Sequence, residues 1–421
     1  MAEPRRDDAH ISPDGTRSAR RLLAVCALLI VYGSLYPFQY VEPPSVAAAW
    51  RQLLLASGWW TSPGDVMGNV ALFVPWGALG ATALAHVPRR QQRLVGFLVG
   101  SVVFALAVQV IQIWFPSRTP SRADVLWNAV GTLVGMAAAG SLKRILGRME
   151  HGVEPQARSG LVLIVLWVTT QWAPLIPTID WQGIKDSLKP LLLQRDLNLV
   201  AMLLTLARVV AVGCMLEAVA GAQRRWIAPW FAVMLAVLTA GKPFIVGQSV
   251  TLSNALGYVG GYAAWLASRG LDGQWRLIAT LALLFAAYVL HALTPFAWRD
   301  TPWDMHLLPF AALLEGSMEL NARALLDAAF LYGALLWLAQ RCSDRVRGIS
   351  VALALCVLAL EYTQTWLEGR TGDITEPLLV LSMGAMLKVT QPGRHIEHTG
   401  QPPALVHGSH RPRHARTRRS H

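Results

Sequence analysis

Residues that could do chemistry fall into two groups in an otherwise apolar chain. The first lies in QVIQIWFPSRTPSRADVLWNAVGTLVG, from Gln109 to Gly135, and holds Gln109, Gln112, Arg118, Asp124 and Asn128. The second lies in EYTQTWLEGRTGDITEP and holds Glu361, Gln364, Arg370, Asp373 and Glu376. Each sets carboxylate beside guanidinium across a short polar turn. Arg is suited to bidentate phosphate contact, so such a pocket could hold a polar, phosphorylated headgroup. The same groups could instead do acid–base work, with Glu361 and either Glu376 or Asp373 as base and acid and Arg370 stabilising developing charge. Asp65 and Asn69, one turn apart on one helix face, extend the first group.

The two groups are related by position. A shift of 252 residues, with no gap, carries Gln109 onto Glu361, Gln112 onto Gln364, Arg118 onto Arg370 and Asp124 onto Glu376. Half that shift, 126, carries Asn128 onto Asn254, Gly131 onto Gly257 and Gly135 onto Gly261. One offset and its double point to three copies of one unit, and a repeat of that kind sets the architecture.

A structural reading stands beside each chemical one. Asn, Gln and Asp inside a membrane often tie helices together, at about 0.6 kcal/mol per bond. Arg118–Asp124 and Arg370–Glu376 could be loop-closing pairs. Gly131/Gly135 and Gly257/Gly261 have the G-x-x-x-G spacing that lets helices approach closely. The enzyme reading lacks a nucleophile–base pair, an H-E-x-x-H or a G-x-S-x-G motif, and no Cys or His set has metal-ligand spacing. No metal and no cofactor is expected. His291 reads as a core histidine, and His306, near Asp304, is the one His kept on an enzyme list.

The elements that must position these residues are membrane helices. The chain has 421 residues, 54% of them hydrophobic and 15% charged, well under the roughly 25% charged of soluble domains. Apolar blocks near bilayer-spanning length fall at about 22–40, 64–85, 94–115, 124–141, 161–177, 197–220, 227–246, 251–267, 277–296, 322–339, 349–367 and 375–389. The expected fold is therefore all-α and polytopic, with about twelve transmembrane helices in three repeated four-helix sets. The sets are 22–145, a degenerate middle set at 161–268, and 277–390. A basic tail precedes them at 1–21 and a basic, structureless tail follows at 391–421. Lys and Arg crowd into alternate loops, which places both termini in the cytoplasm. The net charge of +12 then reflects inside-positive loops, and nucleic acid is not expected as a partner. The first apolar block is too long for a cleavable signal. Trp50, Trp59, Trp60, Trp181, Trp298 and Trp303 flank apolar blocks as an interfacial belt would. Cys26, Cys214, Cys342 and Cys356 fall on the cytoplasmic side, where disulfides are not expected.

A buried polar side chain costs several kcal/mol unless it finds partners. Asp65, Asn69, Gln109, Gln112, Asp124 and Asn128 should therefore face one another in a pocket opening outward, with Arg118 and Arg122 in the short outer loop. The last set repeats that arrangement with more charge. Its three carboxylates against one Arg make it the expected principal site.

These residues carry a family resemblance. The order Asp65-x3-Asn69-x3-Phe73-x-Pro75-x-Gly77, then Gln112-x5-Arg118-x5-Asp124-x3-Asn128-x2-Gly131-x3-Gly135, resembles the VanZ-like family. The likeness covers about 22–145 and, in part, 277–390, while the middle set keeps Asn254, Gly257 and Gly261. Gln109 stands where the family has Glu, and Glu361 restores it. The resemblance implies an inner-membrane protein and, through the family's name, a link to glycopeptide (teicoplanin) resistance and cell-envelope precursors. Three functions are thus expected: binding or translocating a lipid headgroup or lipid-linked precursor, an intramembrane hydrolase or transferase, or a structural subunit of envelope biogenesis. Membrane lipids are the expected partners.

Overall fold

A computed structural model describes residues 13–42, 45, 47, 50–51, 63–85, 87–115, 120–148, 155–173, 177–193, 197–311, 318–343 and 345–390. Among them the chain is helical, with strand-type pairing limited to the single bridges Pro177–Ile245, Trp298–Leu367 and His306–Asp373. The helices are α1 Pro13–Leu35, α2 Pro63–Ala83, α3 Arg90–Ile111, α4 Arg122–Arg148, α5 Pro155–Trp172, α6 Trp181–Leu192, α7 Leu199–Ala220, α8 Ile227–Gly241, α9 Leu252–Ser268, α10 Gly273–Leu293, α11 Met318–Cys342, α12 Val346–Gln364 and α13 Thr375–Thr390. Short 3-10 turns extend α3 through Trp114 and α8 through Phe244. Among the described residues, four segments are long and apolar enough to cross a membrane: Arg90–Trp114, Leu199–Ala220, Ile227–Phe244 and Gly273–Leu293.

Two stretches outside the apolar blocks are helical. α1 already begins in the polar N-terminal stretch, at Pro13. Between the apolar blocks at 161–177 and 197–220 lies a short helix, α6. Asp180 starts α6 by accepting from the backbone N–H of Gln182 and Gly183, the usual service of an N-cap carboxylate. Trp181, Ile184 and Leu188 recur at helical spacing, with Lys185, Asp186 and Lys189 beside them. A helix so divided suits the surface of a membrane better than its interior. It is pinned from behind where the Val250 N–H donates to Ser187 O at 2.9 Å.

Local sequence sets the other ends. Asn198 and Thr251 cap α7 and α9 through the N–H of Ala201 and Asn254, at 2.9 and 3.2 Å. α1 and α10 stop alike, at Tyr36-Pro37-Phe38 and Thr294-Pro295-Phe296, each with a cis bond before proline and each with the following Phe at φ 63°. Ile176-Pro177-Thr178 follows the first apolar block of the middle set in the same way, and Ile176 lies outside the described residues.

Packing divides into two cores. Ile30, Phe73 and Ala105 form one, with Trp76 and Phe104 against it. The larger is centred on α7, where Ala207, Val209, Ala211, Val212 and Met215 are all fully buried, and it takes in residues from α5 and from α8 to α13. α4 lies on α2 at Gly131 and Gly135, where an added Cβ would stand 2.4 Å from Val70 O and 2.0 Å from Val74 O. α9 lies on α7 in the same manner at Gly257 and Gly261, 2.9 Å from Met202 O and 2.8 Å from Leu206 O. Such contact is open only to residues without a side chain. The Tyr32 hydroxyl, on α1, donates to Pro309 O at 2.7 Å. Trp181, Trp298 and Trp303 are exposed toward one end of the bundle's helices, and Trp226, Trp230 and Trp275 toward the other. That is the placement of aromatic belts at the two faces of a bilayer.

Candidate functional site

Close docking of α2 on α4 brings Asn69 to the first turn of α4. Its Nδ2 donates to Asp124 Oδ1 at 3.0 Å and to Asp65 O at 3.0 Å. Gln109, near the end of α3, donates from Nε2 to Asp124 Oδ2 at 3.3 Å. Both carboxylate oxygens are thus engaged, and Asp124 joins three helices. The position suits a carboxylate, because the first turn of a helix presents unsatisfied N–H groups and positive potential. Gln109 Oε1 accepts from Ser121 N at 2.8 Å, and Gln112 Nε2 donates to Ser34 O at 2.8 Å, which adds α1. Asn128 is buried one turn below, and its Oδ1 has no hydrogen-bond partner. Asp65 is exposed at the start of α2, within electrostatic reach of Asp124. Arg118 lies outside the described residues.

The last set builds the same frame with different atoms. Glu361, 2% exposed near the end of α12, accepts from Asp373 N at 2.8 Å, as Gln109 accepts from Ser121 N. Glu376, in the first turn of α13 as Asp124 is in that of α4, lies within electrostatic reach of Glu361. The chemistry differs at one point. An amide can donate to a carboxylate, whereas two ionised carboxylates only accept, so a direct bond between Glu361 and Glu376 needs a proton on one of them. Tyr332 donates its hydroxyl to Glu376 Oε2, Tyr288 reaches the same oxygen at 3.4 Å, and the two phenols are 3.1 Å apart. Gln364 Nε2 lies 3.4 Å from Glu361 Oε1.

Asp373 belongs to the neighbouring loop. Its Oδ1 accepts from Thr375 N and Oγ1 at 2.8 and 2.6 Å, which starts α13. The strap from Ala297 to Ala311 runs over this end: His306 N donates to Gly372 O and His306 O accepts from Ile374 N. His306 therefore serves through its backbone here. His291 contributes its backbone as well, by receiving Arg370.

Arg370 does not join the carboxylates. Its Nε donates to Thr294 O and its Nη2 to His291 O, both at 2.7 Å, and it forms no ion pair among the described residues. These are carbonyls at the C-terminal end of α10, where helix geometry leaves acceptors unsatisfied and favours a cation. Arg370 is thus a clamp between α10 and the α12–α13 turn. Replacing it by Ala is expected to cost about 1.5–3 kcal/mol, the worth of hydrogen bonds to a charged group, with Arg370→Lys recovering part. Thermal unfolding in detergent would read this, and an unchanged midpoint for Arg370→Ala would refute the clamp.

Two members of the second group are not among the residues the sequence singles out. Tyr332 carried a signal, since Tyr332-Gly333 stands one helical turn past the place to which a 252-residue shift carries Trp76-Gly77. Tyr288 carried none: it is a lone aromatic in an apolar helix.

The VanZ/LLP1 family model matches residues 13–143 of the chain. No curated protein and no solved structure matches it.

Proposed function

We infer that this chain, a VanZ-like membrane protein whose family match covers residues 13–143, binds the polar headgroup of a lipid or lipid-linked cell-envelope precursor. It does so at polar sites opening to the outer face of the inner membrane, with both termini cytoplasmic and twelve spans in three four-helix sets. The observation that carries the reading is the matched frame at two helix ends. Ser121 N bonds Gln109 and Gln109 bonds Asp124; 252 residues on, Asp373 N bonds Glu361, with Glu376 within electrostatic reach of it. The like docking of α4 on α2 and of α9 on α7 supports the middle set. Polar groups of this number are costly inside a membrane and mark functional paths there. Their donors and acceptors suit hydroxyl, amide and amine groups of a headgroup.

Native mass spectrometry of the purified protein tests the reading. A co-purifying lipid is expected, retained less by Asp124→Asn and by Glu361→Gln. A protein that emerges free of lipid and takes up none from mixed vesicles would sink it. Transport and any part in teicoplanin resistance are the further steps of the same reading, tested by survival of a deletion strain on the glycopeptide.

A second reading takes Glu361 and Glu376, two acids within electrostatic reach of each other, to share one proton. Two carboxyls in one hydrogen-bonded pair can act as acid and base, which makes an intramembrane hydrolase or transferase. Product released from the bound lipid, and none from Glu361→Gln, is its distinguishing result.

The topology has its own test. A membrane-impermeant thiol reagent should label Arg90→Cys and Asp300→Cys from opposite sides, in a background without native Cys. Labelling of both from one side excludes this arrangement of spans.

A further inference from the structure

Between the middle and last sets lies a group of charges that neither polar site uses. Arg208 stands midway along α7, Arg323 and Asp327 on α11, and Lys242 at the end of α8. Lys242 is 3% exposed. Its Nζ donates to the Tyr258 hydroxyl at 3.1 Å, and Tyr258 in turn donates to Gln171 Oε1. The direction of that chain leaves the ammonium as pure donor, with one of its three protons placed. No acid ion-pairs with it among the described residues. The charges of Arg323, Asp327 and Arg208 all act on Lys242 and on the Tyr258 hydroxyl. Arg208 reaches Asp327, with Nη1 at 3.6 Å from Oδ1, while its buried Nε has no hydrogen-bond partner among the described residues. Arg323 forms no ion pair among the described residues. Charges from Arg208 and Asp327 also reach His291, beside Arg370.

Among the described residues, Arg208 meets Asp327, Arg323 stands one turn before Asp327 on α11, and Lys242 lies within electrostatic reach of all three, with donor positions left over. Burying like charges together is costly, and an anion placed among them offsets that cost. The site is also reachable. The Arg208 and Asp327 side chains are 19% and 30% exposed, midway along long helices. A charged group there does not face hydrocarbon, so the exposure marks a wet crevice.

We propose that Arg208, Lys242 and Arg323 form an oxyanion site in this crevice and take a phosphate group, either of a lipid headgroup or of a soluble phosphate. The proposal deepens the headgroup reading and rests on it. It assigns the phosphate contact to residues that the Arg118 and Arg370 groups do not include. Arg supplies a planar fork and Lys a point charge, the usual pairing around phosphate oxygens. The carboxyl sites at α4 and α13 would then hold the uncharged or amine-bearing part of the same headgroup.

The test uses the full chain in detergent, with phosphatidylglycerol, diacylglycerol of the same acyl chains, and inorganic phosphate as probes. Wild type is expected to retain phosphatidylglycerol over diacylglycerol in native mass spectra. Arg208→Gln and Lys242→Gln should each weaken that retention at least about tenfold, while Arg208→Lys keeps most of the preference for the phosphate. A rise in the unfolding midpoint with inorganic phosphate alone identifies a soluble anion as sufficient; retention of the lipid without such a rise identifies the headgroup. If the Gln variants at Arg208 and Lys242 retain the lipid as wild type does, the oxyanion site is overturned and the headgroup reading stands on the carboxyls. The site is overturned equally if Glu361→Gln loses the preference while those two variants keep it. If wild type does not distinguish phosphatidylglycerol from diacylglycerol, and phosphate leaves the midpoint unchanged, the proposal fails whether or not the variants fold. Diacylglycerol retained equally leaves the headgroup reading to the carboxyl variants.

Discussion

Glu217→Ala is expected to destabilise the bundle by about 3–5 kcal/mol, the range for breaking a buried ion pair from one side. Glu217 is 3% exposed in the last turns of α7. Its Oε1 faces Arg269 Nε at 3.2 Å, and its Oε2 accepts from Arg276 Nη2. One carboxylate thus ties α7 to the end of α9 and the start of α10. Arg269 also lies over the Trp265 ring, 5.4 Å from its centroid. Removal of the acid leaves two guanidinium groups without their counter-ion, and Arg276 is only 16% exposed, so water replaces the lost contact poorly. Glu217→Gln keeps an acceptor and should lose less. The measurement is the unfolding midpoint of purified protein in one detergent. A loss below about 1 kcal/mol would mean the group is solvated like a surface pair. The cluster lies at the opposite helix ends from Asp124, Glu361 and Lys242, so lipid binding per folded molecule should not change.

The second large effect is steric. Gly135→Val is expected to abolish accumulation of folded protein, because a Cβ there would stand 2.0 Å from Val74 O and 2.8 Å from Ala78 N. A side chain can rotate away from an overpacked neighbour, but a helix backbone moves only as a whole. The cost therefore exceeds the roughly 1–3 kcal/mol of ordinary overpacking. Separating α2 from α4 also pulls Asn69 away from Asp124, so any protein that survives should bind like Asp124→Asn. Gly140→Ala in the same helix is the control: an added Cβ meets nothing within 4 Å, and no loss is expected. Fluorescence-detected size exclusion of tagged variants gives the comparison. Normal yields for Gly135→Val would show that α2 and α4 do not touch at this point.

These two residues differ in how visible they are from the chain alone. Gly131 and Gly135 announce a close helix contact by spacing, and the structure supplies the partner, α2. Glu217 and Arg276 are 59 residues apart, and nothing in either neighbourhood marks them as a pair. Gln109 and Asp124 were legible as buried polar residues bracketing a turn, and they do meet. Arg370 was legible as a charge near carboxylates, yet its partners are main-chain carbonyls of α10, which every residue owns and no sequence pattern singles out.

By itself the sequence determined the helical, membrane-embedded character of the chain and which polar residues must find partners. Both follow from local quantities: the length of apolar runs, the charge of the loops between them, and spacing along one helix face. Tertiary structure alone decided who the partners are. It set Glu361 within electrostatic reach of Glu376, two acids where Gln109 and Asp124 are an amide and an acid. It turned Arg370 to a helix end, and it gathered Arg208, Lys242 and Arg323 from three separate helices. Partner choice of this kind depends on where whole helices stand relative to one another. That is fixed by the summed contacts of many apolar side chains and a few glycines, none of which names the polar pair it brings together.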